Sequence, residues 1–172
     1  TSRESGFLFN NVVFVTLCFA VFWGTIFPVI SEAIQGTKIT VGAPFFNQVT
    51  IPIGLFLLFL TGVGPLLAWR KTSKQNLKNN FSLPIILSVL SSVIFILFGL
   101  RGYVVISLML SVFVIVSIFM EFKRGVASRV RQFHENVLSA FLTIIKKNRS
   151  RYGGYFVHIG IVVMFIGFTG QA

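Results

Sequence analysis

Five long apolar runs constrain the fold of this sequence more than any other feature. No Asp, Glu, Lys or Arg lies within residues 5–31, 39–69, 83–100, 102–120 or 152–172. A helix that crosses the hydrocarbon core of a bilayer needs about 20 mainly apolar residues. We therefore predict an all-α polytopic membrane protein with transmembrane helices over about 8–30, 49–69, 82–100, 103–121 and 153–172.

The short break between the third and fourth runs predicts a hairpin. Only Arg101 and Gly102 separate these runs, and one helix through both would be far longer than a bilayer is thick. The composition agrees with a membrane environment, because only 11% of the residues are charged. A soluble domain would carry about 25%.

The basic residues are placed asymmetrically along the chain. Lys and Arg outnumber Asp and Glu by 11. One basic cluster follows the second run (Arg70, Lys71, Lys74, Lys78), a second lies within 122–151, and the other connections carry only Lys38 and Arg101. With five spans both clusters lie on one side, and the positive-inside rule makes that side the cytoplasm. We therefore predict a membrane protein whose N-terminus and basic connections are cytoplasmic, and we attribute the charge to topology rather than to nucleic-acid binding or a specific lipid site.

The segment 122–150 is amphipathic rather than uniformly apolar. Its apolar residues recur at steps of three and four: Val126, Val130, Phe133, Val137, Leu138, Phe141 and Ile145. This spacing marks one face of a helix, and basic residues cover much of the remainder. We predict a helix along the cytoplasmic membrane surface, with lipid as its partner. A helix that docks a partner protein is the alternative, and in either case His134 is expected to be solvated.

The predicted outer loop, residues 31–48, contains two adjacent phenylalanines after a turn signal. Gly42 and Pro44 favour a turn. Phe45 and Phe46 either enter the membrane interface or a partner, or belong to a short loop that caps the helix ends. The residues alone leave both interpretations open.

Few residues in this chain offer chemistry. Cys18 is the only cysteine, which argues against thiol–disulfide exchange. The sequence has no Gly-rich phosphate loop, nucleophile elbow or HExxH motif. Its four glutamates lie far apart in sequence, so no carboxylate pair for acid–base catalysis is expected.

His158 is the exception, because it lies inside the fifth apolar run. An ionisable residue within a membrane span is costly and is usually functional. Neutral imidazole is a common axial ligand of haem iron, but a hydrogen bond to a neighbouring helix explains the residue equally well. Gly153, Gly154 and Gly160 would let a planar macrocycle or another helix approach closely.

Five stretches in register resemble one known family. They are "SRESGFLFNN", "FWGTIFPVISEA", "ITVGAPFFN", "GVGPLLAWRK" and "YGGYFVHIG". Their order is similar to that in the CcmF family of cytochrome c maturation proteins, and NrfE-type paralogues are similar as well. The resemblance covers essentially the whole chain.

The resemblance implies a function in haem attachment. CcmF-family proteins ligate haem to the CxxCH motifs of apocytochrome c outside the cytoplasmic membrane. They take haem from the chaperone CcmE and work with CcmH-type proteins. They also hold a permanent b-type haem through two histidines in membrane helices. His158 matches the later of these, so the resemblance implies haem b as cofactor and His158 as an axial ligand of its iron.

The depth of His158 bears on what such a haem would do. His158 follows the last predicted cytoplasmic arginine by about seven residues, or roughly 10 Å of helix. The haem would then lie toward the cytoplasmic half of the membrane, whereas the substrate haem is handled outside. Electron delivery to the substrate iron suits this position better than transfer of the haem itself.

The sequence also departs from the family pattern. Trp23 and Trp69 stand alone, and the Trp-rich "WWD" segment, its two flanking histidines and the first membrane histidine are absent. We therefore expect the chain to correspond to the stretch after that segment, to need the remainder of a CcmF-like protein, and to be inactive as a haem lyase by itself. The alternative is a structural or transport subunit of a membrane complex without haem.

Overall fold

Five of the six helices are long and apolar enough to cross a membrane. The computed structural model describes residues 3–66 and 74–170. The helices are α1 (Arg3–Gln35), α2 (Ala43–Leu66), α3 (Lys74–Leu97), α4 (Tyr103–Phe133), α5 (Val137–Lys147) and α6 (Arg149–Thr169). All except α5 meet the length and hydropathy of a membrane span. The predicted all-α polytopic membrane fold is confirmed.

The observed helices extend beyond most of the predicted spans. The spans predicted at 8–30 and 103–121 lie inside the longer helices α1 and α4. The spans predicted at 49–69, 82–100 and 153–172 are each shifted, because α2, α3 and α6 begin at residues 43, 74 and 149, earlier than the predicted spans. The first turns of α3 and α6 contain basic residues that a helix accommodates, so the apolar runs locate the hydrocarbon-facing part of these helices rather than their ends. Residues 67–69 and 171–172 of two predicted spans lie outside the described residues.

Helix α4 is the centre of the bundle, because α2, α3, α5 and α6 all pack against it. At 31 residues it is about 46 Å long, which exceeds the roughly 30 Å of a hydrocarbon core. Phe113 lies about one third of the way along it and contacts Phe59 and Phe81, with ring centroids 5.9 and 6.3 Å away. Helix α1 packs on α2 alone among the described helices.

The predicted hairpin between the third and fourth spans is confirmed. Helix α3 ends at Leu97 and α4 begins at Tyr103. Gly99 and Gly102 have φ values of 86° and 60°, which lie in the left-handed region that residues with a Cβ rarely adopt. The two glycines therefore permit a reversal within five residues.

The prediction of one surface helix over 122–150 is wrong. Helix α4 continues to Phe133, residues 134–136 are not helical, and α5 starts at Val137. His134 adopts a left-handed conformation with φ 53°, and its N–H donates to the Val130 carbonyl at 2.9 Å. Glu135 accepts two hydrogen bonds from Arg129, at 2.8 and 2.9 Å, which holds the reversal. The three- and four-residue spacing continues through both helices, so periodicity alone could not show the break.

The two phenylalanines of the predicted outer loop pack back onto α1. The observed connection is only 36–42, and Phe45 and Phe46 belong to the first turn of α2. A Cβ at Gly24 would approach their rings to 2.8 and 2.9 Å. Ser31 accepts a hydrogen bond from the Ile39 N–H at 3.0 Å, which draws the loop onto the end of α1. This contact favours the capping interpretation of the loop.

Candidate functional site

His158 lies on the face of α6 that packs against the bundle. It follows the buried Tyr155 by three residues and precedes the buried Val162 by four, so all three share one side of the helix. The imidazole is partly buried, and its Nδ1 has no hydrogen-bond partner among the described residues. An unpaired polar atom away from water carries a free-energy cost. The hydrogen bond to a neighbouring helix that the sequence left open is therefore not made within the described part.

The glycines near His158 are not explained by packing within the described part of this chain. A Cβ added at Gly153, Gly154 or Gly160 would meet no described atom within 4 Å. The contrast is with Gly62, where a Cβ would approach the Phe113 ring to 2.6 Å. The described helices therefore do not use the room at these three glycines, and of the three Gly154 lies one turn before His158 on the same face.

A buried glutamate joins α4 to α6 about one turn before His158. Glu121 is 6% exposed. Its Oε1 accepts a hydrogen bond from Arg124 at 3.1 Å, and its Oε2 accepts one from Arg151. The Tyr155 hydroxyl donates to Oε2 at 3.4 Å and accepts from the Arg151 Nε at 3.0 Å. We call Glu121, Arg124, Arg151 and Tyr155 the Glu121 cluster.

Aromatic rings seal the inner side of the Glu121 cluster. The Phe122 ring lies 5.0 Å from Tyr152 and 5.8 Å from Tyr155, measured between centroids. Phe141 of α5 approaches the same ring at 5.5 Å. The Tyr152 hydroxyl lies directly over Gly125, where a Cβ would collide with it. Three helices therefore meet around one ring, and α6 is held closely against α4 at this end.

The cluster lies at the depth where a membrane helix leaves the hydrocarbon. Glu121 is 18 residues after Tyr103, about 27 Å along α4, which is close to the roughly 30 Å of a hydrocarbon core. Arg124 and Arg151 have 40% and 49% of their side chains exposed, so both guanidinium groups reach toward the polar side. The cluster therefore combines a buried carboxylate with two partly exposed arginines.

A second α4–α6 contact lies at the opposite end of α6. The hydroxyl groups of Ser107 and Thr169 are 2.7 Å apart. Beside them a cavity of about 350 Å³ opens between α2, α4 and α6, lined by Gly54, Tyr103 and Phe165 among others. Its walls are mainly apolar.

The other candidate residues lie apart from His158. His134 is exposed at the end of α4, as predicted, and Cys18 is an exposed free thiol on α1. No group of three or more potential metal ligands forms among the described residues.

The sequence prediction missed the Glu121 cluster. Glu121 and Arg151 are 30 residues apart in sequence. The wide spacing of the four glutamates argued against a carboxylate pair, but it gave no information about an ion pair between a glutamate and a distant arginine. The sequence does contain a signal for this ion pair. Glu121 lies at the end of the fourth predicted span and Arg151 lies just before the fifth, so both residues are expected at the same membrane surface.

Comparisons with known proteins identify the relatives of this chain. No protein-family model matches the sequence. The cytochrome c-type biogenesis protein CcmF of Pseudomonas fluorescens is 30% identical over 169 residues, covering 96% of this chain. The solved structure of the cytochrome c haem lyase CcmF matches with a TM-score of 0.75 and 30% identity, over 98% of this chain. The chain is related to the CcmF family.

A relative with a different name is similar to part of this chain. The cytochrome c-type biogenesis protein CycK of Rhizobium meliloti is 43% identical over 70 residues, which are 41% of this chain. This chain spans about one quarter of its CcmF relatives, 24% of the Pseudomonas fluorescens protein and 25% of the solved structure. The resemblance inferred from the sequence is confirmed.

Proposed function

We propose that this chain is a haem-binding membrane region of the cytochrome c maturation apparatus, in which His158 is an axial ligand of a b-type haem. One observation carries the proposal. His158 is a partly buried imidazole on an apolar helix, and its Nδ1 lacks a partner within the described residues. Its relatives are cytochrome c biogenesis proteins, and a solved one is called a haem lyase.

The residues around His158 fit a planar group that enters from outside the chain. A neutral imidazole offers one lone pair to a metal while its second nitrogen carries a proton. The glycines at 153, 154 and 160 leave open space beside the helix. When bound, a haem between two imidazoles supplies one-electron transfer.

The second axial ligand comes from outside this chain. The sequence contains one other histidine, His134, which lies exposed in the turn between α4 and α5. His158 lies on α6, beyond the Glu121 cluster and within an apolar segment. We therefore expect a histidine from another part of a CcmF-type protein to complete the site.

The partners follow from the same proposal. The remainder of a CcmF-like protein would pack on α1, many of whose apolar side chains are exposed. CcmE-type haem chaperone, CcmH-type subunits and apocytochrome c would act on the outer side of the membrane. His158 would hold its haem nearer the cytoplasmic side, where it suits electron delivery.

The membrane placement is part of the proposal. We propose an inner-membrane protein whose N-terminus and basic connections are cytoplasmic. The support is the basic residues near the joined ends of α4 and α6, where Lys123, Arg129 and Lys147 accompany the Glu121 cluster. Clustered Lys and Arg resist translocation.

Replacement of His158 tests the ligand assignment. In the protein as its host produces it, His158→Ala should remove most of the b-type haem, because no described side chain can replace the imidazole. Haem is measured by its Soret band and by pyridine haemochrome, and maturation by covalent haem in a reporter cytochrome c. Added imidazole should restore part of the haem, since the truncation leaves space for a small ligand.

His134→Ala is the matched control and should leave the haem and its spectrum unchanged. Full b-haem with an unaltered spectrum in His158→Ala would refute the assignment. A structural or transport subunit without haem would then be the better interpretation. A transporter is expected to use broken helices at its binding site, whereas α2 runs through Pro52 without a break.

A further inference from the structure

We infer that the Glu121 cluster is a positioning device for His158: it fixes the rotation and depth of α6, so that the imidazole presents one orientation to the haem. Arg151 and Tyr155 lie four residues apart on α6, and both contact the Oε2 of Glu121. His158 is one turn further along the same face. The inference rests on the proposed function.

Apolar packing alone does not determine how α6 is rotated. Beyond Tyr155 the helix carries large apolar residues on every side, including the exposed Phe156, Val157 and Met164. In a bilayer such faces are almost equivalent, because lipid tails are as apolar as the neighbouring helices. Directional polar contacts therefore add to the aromatic packing around Phe122 in selecting one rotation.

Two polar contacts pin α6 onto α4, one at each end. The Glu121 cluster holds the first turns of α6, and the Ser107–Thr169 pair holds the last. Two fixed points on one helix pair set both rotation and register, and His158 lies between them. The cluster is the stronger point, because a buried carboxylate without its cationic partners would be left uncompensated.

The chain provides a matched control for the cluster. Arg129 and Glu135 form a second Arg–Glu ion pair at 2.8 Å, in the turn that leaves α4. No hydrogen bond or ion pair joins it to α6 among the described residues. Glu135→Gln therefore makes the same chemical change as Glu121→Gln without altering the hold on α6.

Cross-linking measures the α4–α6 register without any haem. Ser107→Cys and Thr169→Cys are introduced together in a Cys18→Ser background, in the host's full protein kept in its membrane and depleted of haem. The pair should cross-link readily, since its oxygens are 2.7 Å apart. Glu121→Gln and Tyr155→Phe should slow the cross-linking severalfold, and Glu135→Gln should not. Tyr155→Phe keeps the ring and removes only the hydroxyl, so it decides the matter if Glu121→Gln does not accumulate.

The haem-loaded protein provides the second measurement. Tyr155→Phe and Glu121→Gln should retain b-haem but change the electron paramagnetic resonance signal of the oxidised iron, because outer contacts orient metal-ligating histidines. Unchanged cross-linking in both variants, or slower cross-linking with an unchanged signal, would overturn the inference. In either result the proposed function stands if His158→Ala loses haem. If His158→Ala keeps its haem, the proposed function fails and the inference fails with it.

Discussion

Single residues determine how closely the helices of this chain approach one another. Gly62 is buried on α2 against α4, and a Cβ there would lie 2.6 Å from Phe113 and 3.1 Å from Val114. Gly64, two residues later, faces open space. The two glycines are indistinguishable in sequence, yet only the first lies at a contact.

Gly62→Ala should destabilise the bundle, whereas Gly64→Ala should not. The added methyl group at residue 62 overpacks the contact with Phe113, at a cost of about 1–3 kcal/mol. The same change at residue 64 meets no atom within 4 Å and replaces a poor helix former. Thermal unfolding of the full protein in mild detergent should therefore show a lower midpoint for Gly62→Ala only. Equal midpoints for the two variants would mean that α2 and α4 do not meet at Gly62.

At the residue scale, the sequence singles out a residue that conflicts with its local environment, and the role of His158 as a haem ligand stays a prediction. A histidine in an apolar run conflicts with its surroundings, so His158 could be singled out from the sequence. Glu121 ends its run among charged residues and looks ordinary there. The structural role of Glu121 depends on its ion pair with Arg151, which is 30 residues away in sequence. Only the three-dimensional arrangement brings the two residues together.

At the scale of helices, the sequence predicts which segments are helical better than where they end. Apolar length identified all five spans, and the Arg101–Gly102 break identified the hairpin. The reversal after Phe133 was missed because His134 carries no glycine or proline signal. It adopts its left-handed conformation, φ 53°, where the Arg129–Glu135 pair closes the turn.

The reversal between α4 and α5 should loosen in acid. The hydrogen bond from Arg129 holds the pKa of Glu135 below its usual value, and the charges of Arg129 and Lys147 act in the same direction, against desolvation. A lowered pKa stabilises the turn fully above the unfolded value of about 4.3. That stabilisation is lost as the pH falls through the lower folded pKa.

Hydrogen exchange at the start of α5 measures this loss. Corrected for intrinsic rates, exchange of the amides after Val137 should be constant near neutral pH and should rise below about pH 4. Glu135→Gln should exchange faster at neutral pH and should lose the acid dependence. An acid transition that persists unchanged in Glu135→Gln would assign it to another group.

At the scale of the whole molecule, the distribution of basic residues and the directions of the helices indicate the same basic end of the bundle. Helix α2 runs parallel to α4, since Gly54 lies with Tyr103 beside the cavity and Gly62 meets Phe113 further along. The end of α2, the end of α4 and the start of α6 therefore share one end of the bundle. Charge clusters in the sequence predicted this shared end. The sequence could not predict that α2 would be the one described helix in contact with α1, because lipid-facing and protein-facing apolar surfaces have similar composition.

The shared basic end should face the cytoplasm. Reporter fusions test this, with alkaline phosphatase, which is active only outside, and a fluorescent protein that matures only inside. A fusion after Ser73 should fluoresce without phosphatase activity, because the neighbouring Lys and Arg resist translocation. A fusion after Gly42, in the connection between α1 and α2, should give the reverse result. Replacing Arg124 and Arg129 by Gln would weaken the charge bias without shortening α4, and should raise the fraction of inverted molecules. Phosphatase activity from the Ser73 fusion of the unaltered chain would show that the bundle has the opposite orientation. His158 would then lie nearer the outer surface than the proposed electron delivery requires.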